Sequence, residues 1–127
     1  MSRVASETEV ENFLSVVFPI LNESPESLII VKRINSEDKT ANFQYETGLT
    51  HDMICAEILA LDCSNYSYTD KDRDQNRKEE LWFFGKILNP PLIDESTEVY
   101  IKLKLQGRVI CLSFHPSMFP MDYPYSD

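Results

Sequence analysis

The sequence predicts a single α+β domain, a mainly antiparallel β-sheet with two or three helices packed on one face. Three observations carry this reading. Two capped amphipathic runs lie in the first half; a set of apolar and aromatic strand-length runs fills the second; and 43% hydrophobic with 11% aromatic residues in 127 is enough for one core. The first helix starts at a capping box, Ser6 with Glu9 three residues on, and Val10, Phe13, Leu14, Val17 and Leu21 follow at helical spacing. Pro19 is expected to break or kink it near its end. Leu28 to Val31 is a short β-branched run, and Thr40 to Thr47, after a polar turn, is expected to pair with it as a weak hairpin. Thr50 caps a second helix whose stripe is Met53, Ile54, Ile58, Leu59 and Leu61. Residues 66–79 are nearly all polar and predict a mobile loop beside the site.

Strands are predicted at 81–88, closed by Asn89-Pro90-Pro91, and at 98–105 and 108–115, joined by Gln106-Gly107. A two-residue turn there fixes the register by counting outward. Leu105, Leu103, Ile101 and Val99 then oppose Arg108, Ile110, Leu112 and Phe114 on the core face. Tyr100, Lys102, Ser113 and His115 fall side by side on the other face. A Pro/Tyr-rich tail, 116–127, completes the domain.

Composition removes several function classes. Net charge is −9, which disfavours a generic nucleic-acid binder, but the charge is uneven: residues 1–64 hold 4 basic against 11 acidic groups, and residues 71–108 hold 8 against 7. An anionic ligand is therefore expected to be met by the second half. Three glycines leave no phosphate loop, dinucleotide fingerprint or nucleophile elbow, and no cofactor is expected. Cys55, Cys63 and Cys111 form no C-x-x-C, and His51 and His115 stand far apart, so no metal site is expected. His51 reads as a surface residue rather than a ligand, and Asp70, Asp72 and Asp74 lack the glycine and distal glutamate of a calcium loop. Free cysteines and the lack of any early apolar run of membrane length fit a cytoplasmic protein without a membrane partner.

A tyrosine, a lysine and a histidine on one strand face are suitable parts for metal-free cleavage of an RNA phosphodiester. That reaction needs a base for the 2′-hydroxyl proton, an acid for the leaving oxygen and fixed positive charge at the phosphate. His115 is the candidate acid or base, Lys102 the phosphate cation and Tyr100 the positioning group or proton donor. RNA contacts are expected from Lys86, Lys104, Arg108 and Ser113, with Trp82 offering a base-stacking face. The plainer reading also stands: Tyr-x-Lys-x-Lys is how any half-exposed strand looks, and Trp82 and Phe84 are the kind of residues that form cores.

The motifs Trp82-Phe83-Phe84-Gly85-Lys86, Val99-Tyr100-Ile101-Lys102 and Ile110 to His115, with the tail Pro116 to Tyr125, resemble the MqsR-type toxins of bacterial toxin–antitoxin systems. The resemblance covers about residues 52–125. It implies a RelE-like fold and a metal-independent mRNA endoribonuclease silenced by a partner antitoxin, with functional positions at Tyr100, Lys102 and His115. Another functional lysine of such toxins falls after the second helix, where Lys71 stands here. His115 occupies a position held by lysine in better-known members, and Phe83 one held by glutamine. The alternative is a non-catalytic acidic protein-interaction module on the same fold, and the feature that separates the two is one positive patch of Lys86, Lys102, Lys104 and Arg108.

Overall fold

A computed structural model describes residues 2–72 and 79–126. In chain order the elements are α1 (Glu7–Glu23), β1 (Ile29–Ile30), α2 (Lys39–Thr47), α3 (His51–Leu59), β2 (Tyr66–Lys71), β3 (Glu80–Leu88), β4 (Thr97–Leu105) and β5 (Val109–Pro116). The five strands form one mixed sheet in the order β1-β5-β4-β3-β2, with β1 parallel to β5 and every other pair antiparallel. The fold is α+β, as the sequence predicts.

α1 begins where its capping box places it: the Ser6 hydroxyl accepts from the Glu9 backbone N–H at 3.1 Å, and the Glu9 carboxylate returns to the Ser6 N–H at 3.0 Å. Ser6→Ala should cost about 1 kcal/mol, read as a lower unfolding midpoint in urea with unchanged slope. Pro19 does not end the helix, which runs on to Glu23. Pro19 lies on the solvent face, where water can satisfy a carbonyl deprived of its donor, while the stripe Val10, Phe13, Leu14, Val17 and Leu21 is buried without interruption. Phe13 stacks on Trp82 at 4.5 Å between ring centroids and packs against Phe84 at 6.1 Å. α1 and α3 thus cover one face of the sheet, and the core, including Ile54, Ile58, Phe84, Ile101, Leu103 and Phe114, lies between.

The expected hairpin of 28–31 with 40–47 does not form. Ile29 and Ile30 pair instead with Ile110 and Cys111, and residues 39–47 are helical. Asp38 caps that helix by accepting from Ala41 N–H at 2.9 Å, Thr40 and Phe43 are buried three residues apart, and Gly48 closes it at φ +79°. The strand-forming composition of 40–47 is overridden by its caps and its three-residue spacing. α2 abuts β5, where the Thr40 hydroxyl accepts the buried Phe114 N–H at 3.0 Å.

The polar stretch from residue 66, expected as a loop, starts as a strand. β2 pairs with β3 along Tyr66–Lys71, with a bulge between Tyr66 and Tyr68, because Tyr66 and Thr69 are fully buried. Residues 73–78 of the expected loop lie outside the described residues. The outer edge of β2 is met by Arg3, which exchanges two backbone hydrogen bonds with Thr69. No helix among the described residues is long and apolar enough to cross a membrane.

Candidate functional site

The β4–β5 hairpin sets the site, and its register departs from the expected one twice. The turn contains three residues rather than two, with Gly107 at φ +69°, so Leu105 pairs with Val109 and Leu103 with Cys111. Between Lys102 and Leu103 the pairing shifts again, giving Lys102–Ser113, Ile101–Phe114 and Tyr100–His115. Val109 and Cys111 therefore face the core in place of Ile110 and Leu112, which are partly buried, and Phe114 keeps the core face expected of it. Two shifts of one residue restore the original parity beyond the bulge. Tyr100, Lys102, Ser113 and His115 share the face away from α1 and α3.

On that face lies a cavity of about 670 Å³, within the range of small-ligand sites. Its floor is Tyr68, Tyr100, Ser113 and His115. One wall is the segment after β1, which brings Arg33, together with the first turn of α2, which brings Lys39 and Thr40. The other wall is the tail from Ser117 to Asp122. Asp38 fixes the first wall: one carboxylate oxygen caps α2 and the other accepts the Arg33 N–H at 3.0 Å. Those backbone donors, Ala41 first, hold its carboxyl below the ordinary aspartate value. The Arg33 guanidinium also donates to the Leu112 carbonyl at 3.3 Å, which is exposed by the bulge in β5.

His115 and Tyr100 stand in a π contact at 5.3 Å. His115 Nδ1 lies 3.0 Å from the Pro116 carbonyl. A carbonyl only accepts, so Nδ1 carries the proton and the neutral ring keeps its basic lone pair on Nε2. Burial lowers the His115 pKa, and Lys39, Arg33 and Lys102 push the same way against the Pro116 hydrogen bond. Neutral imidazole is thereby the resting form at neutral pH. Tyr100 is shifted in the opposite sense: burial, then its hydrogen-bonded neighbour Tyr68, raise it well above the ordinary phenol value. Tyr68 is itself raised by burial and stacks on Phe83 at 4.2 Å. The site thus pairs a proton-accepting nitrogen with a firmly protonated phenol, beside two cations.

The expected cationic patch does not assemble. Lys86 is on the opposite face, where its ammonium pairs with Glu57 of α3 at 2.8 Å. Lys104 is 3% exposed and paired with Asp72 at 2.8 Å. Arg108 is exposed at the hairpin tip, at the other end of β5 from His115. Trp82 packs into the core beneath α1 and offers no face to the cavity. Lys71 ends β2 opposite Glu80 and does not line the cavity. Lys102 stays beside the site, its ammonium 5.7 Å from the Phe83 ring and close enough to act on His115.

Sequence reasoning missed Arg33, Lys39 and Tyr68. Arg33 and Lys39 come from the acidic first half, and only the α2 cap and the parallel β1–β5 pairing bring them to the second half's face. Tyr68 is hidden in a polar run. Cys55 and Cys111 are buried in the core, the Cys111 thiol pushed up to about 12 by burial, and His51 Nε2 lies 2.8 Å from the Leu28 carbonyl.

The tail wall is held at several points. Ser117 N–H donates to the Glu98 carbonyl at 2.9 Å, and the Tyr123 hydroxyl donates to the Glu98 carboxylate at 2.7 Å. Met121 and Tyr123 lie directly over Gly85, where a side chain would collide with both, the Met121 sulfur being 2.6 Å from an added Cβ. Tyr125 then passes to the core side, stacking on Tyr66 at 6.0 Å and donating to the Ala5 carbonyl at 2.5 Å. Gly85→Ala should leave the sheet intact and lift the tail, which limited proteolysis would read as faster cleavage between residues 117 and 125.

No family model, no curated protein and no solved structure matches this chain.

Proposed function

We propose that the protein is a metal-independent endoribonuclease of RelE-like fold. In this reading it is the toxin of a toxin–antitoxin pair, acting on mRNA in the cytoplasm and neutralised by an antitoxin protein. The observation that carries the chemistry is that one cavity holds neutral His115, protonated Tyr100, Arg33 and Lys39 together. The toxin assignment rests on the motif resemblance through Tyr100, Lys102 and His115.

In the reaction, His115 Nε2 takes the proton of the ribose 2′-hydroxyl. The freed oxygen attacks phosphorus, the P–O5′ bond breaks, and the Tyr100 hydroxyl gives its proton to the departing 5′-oxygen. The products are a 2′,3′-cyclic phosphate and a 5′-hydroxyl. Arg33 and Lys39, with Lys102 behind them, offset the charge that builds on the phosphate oxygens. In the free protein the Tyr100 hydroxyl donates to Tyr68, and it turns from that partner to the departing 5′-oxygen as the P–O5′ bond breaks.

The purified chain should cleave RNA in EDTA and leave cyclic-phosphate ends, and its expression should arrest growth. Tyr100→Phe keeps the ring and loses the donor; cleavage should fall by about 10²-fold or more with unchanged thermal unfolding. Folded wild type that leaves RNA intact while still binding a protein partner would replace this reading with the interaction module.

A further inference from the structure

The tail is anchored on both sides of one short stretch, and that stretch holds two large apolar side chains out in water. Before it, Ser117 is tied to Glu98; after it, Met121 and Tyr123 are seated on Gly85. Between these anchors Met118 is 70% and Phe119 77% exposed, although both line the cavity. The Ser117 hydroxyl donates to the Phe119 carbonyl, fixing the backbone that presents the ring. The Met118 sulfur sits 3.1 Å from the Lys39 ammonium across the cavity mouth. An aromatic ring kept exposed on a pinned segment, beside a cavity whose far wall carries Arg33 and Lys39 along with Glu37, matches a ligand with a flat apolar face at one end and an anion at the other. Polar and phenolic groups on the floor suit the hydroxylated sugar between.

We propose that Phe119 is the base-stacking residue of this site, holding a nucleobase at the cavity mouth while the nucleotide's phosphate meets Arg33 and Lys39. This deepens the ribonuclease reading and rests on it for the substrate. Stacking on an aromatic face is tolerant of base identity. The subsite therefore supplies affinity and placement for any base, and sequence preference is not expected to reside in Phe119.

The test uses the full chain. Phe119→Trp, titrated with adenosine 3′-monophosphate, should show saturable quenching of the added indole, whereas ribose 5-phosphate and inorganic phosphate should not quench it. By calorimetry, Phe119→Ala should bind the nucleotide about 5–150-fold more weakly, the range of one base–aromatic stack. Phe119→Tyr should restore it, and ribose 5-phosphate should bind wild type and Phe119→Ala alike. Because the ring is exposed, none of these changes empties the core. Equal nucleotide affinity in wild type and Phe119→Ala, or ribose 5-phosphate binding as tightly as the nucleotide, overturns the proposal. The two readings fail separately. RNA cleavage with kcat/KM unaltered by Phe119→Ala sinks the stacking subsite and keeps the nuclease; Phe119-dependent nucleotide binding by a protein that leaves RNA intact does the reverse.

Discussion

His115→Ala should slow RNA cleavage by about 10²–10⁴-fold, the usual cost of removing a positioned acid or base. His115 lines a cavity rather than filling the core, so the variant should unfold at nearly the wild-type temperature, and that is the control. The pH profile adds a sharper reading. The base works only when neutral, so activity falls as pH drops through the His115 pKa. Burial and the three cations place that pKa below the ordinary imidazole value. The acid limb in kcat/KM should therefore lie on the acidic side of a free histidine's, and Arg33→Ala or Lys39→Ala should move it toward neutrality by removing a repelling charge. An acid limb at or above the free-histidine position would rule out His115 as the neutral base.

Arg33→Ala is the second large effect. If this guanidinium meets the phosphate, its loss should cost about 10²–10³-fold in cleavage, by analogy with a lost oxyanion donor, and Lys39→Ala should cost a comparable factor. The contrast lies with the lysines and arginine that sequence alone favoured. Lys86→Ala should leave the cleavage rate unchanged and lower the melting temperature, because it strands Glu57 at a mostly covered contact with α3. Arg108→Ala, at the exposed hairpin tip, should change neither. Lys104→Ala should act through stability by stripping Asp72 of its partner. Cleavage that depends on Lys86 and Arg108 but not on Arg33 would show that RNA lies elsewhere on the surface.

Local signals in the sequence were legible where one mechanism dominates. Ser6 with Glu9, and Thr50 accepting from Met53 N–H, start their helices where their caps predict, since an unsatisfied N–H is a local problem with a local solution. Residues 40–47 misled because β-branched and aromatic content competes with caps at both ends, and the caps prevail once Thr40 and Phe43 find β5. The shared face of Tyr100 and His115 was legible for an instructive reason. A three-residue turn and a bulge each displace the register by one, so Tyr100 and His115 changed partners but not face, while the β5 residues between the two shifts exchanged faces. Arg33, Lys39 and Tyr68 were not legible, because their place depends on contacts between residues distant in sequence, such as Ile30 with Cys111.

The strand order has a kinetic consequence. β4, made late in the chain, is the centre of the sheet, and β1, made early, is an outer strand that must wait for β5. The apolar stripe of α1 has no sheet to cover until β3, β4 and β5 have been synthesised. Their meander is local and closes small loops, so it is the natural nucleus, whereas docking of α1 and the parallel β1–β5 pairing join distant residues and come at greater entropic cost. During synthesis Val10, Phe13, Leu14, Val17 and Leu21 thus emerge as an unpartnered greasy ridge, the part of the nascent chain most in need of protection until the hairpin arrives.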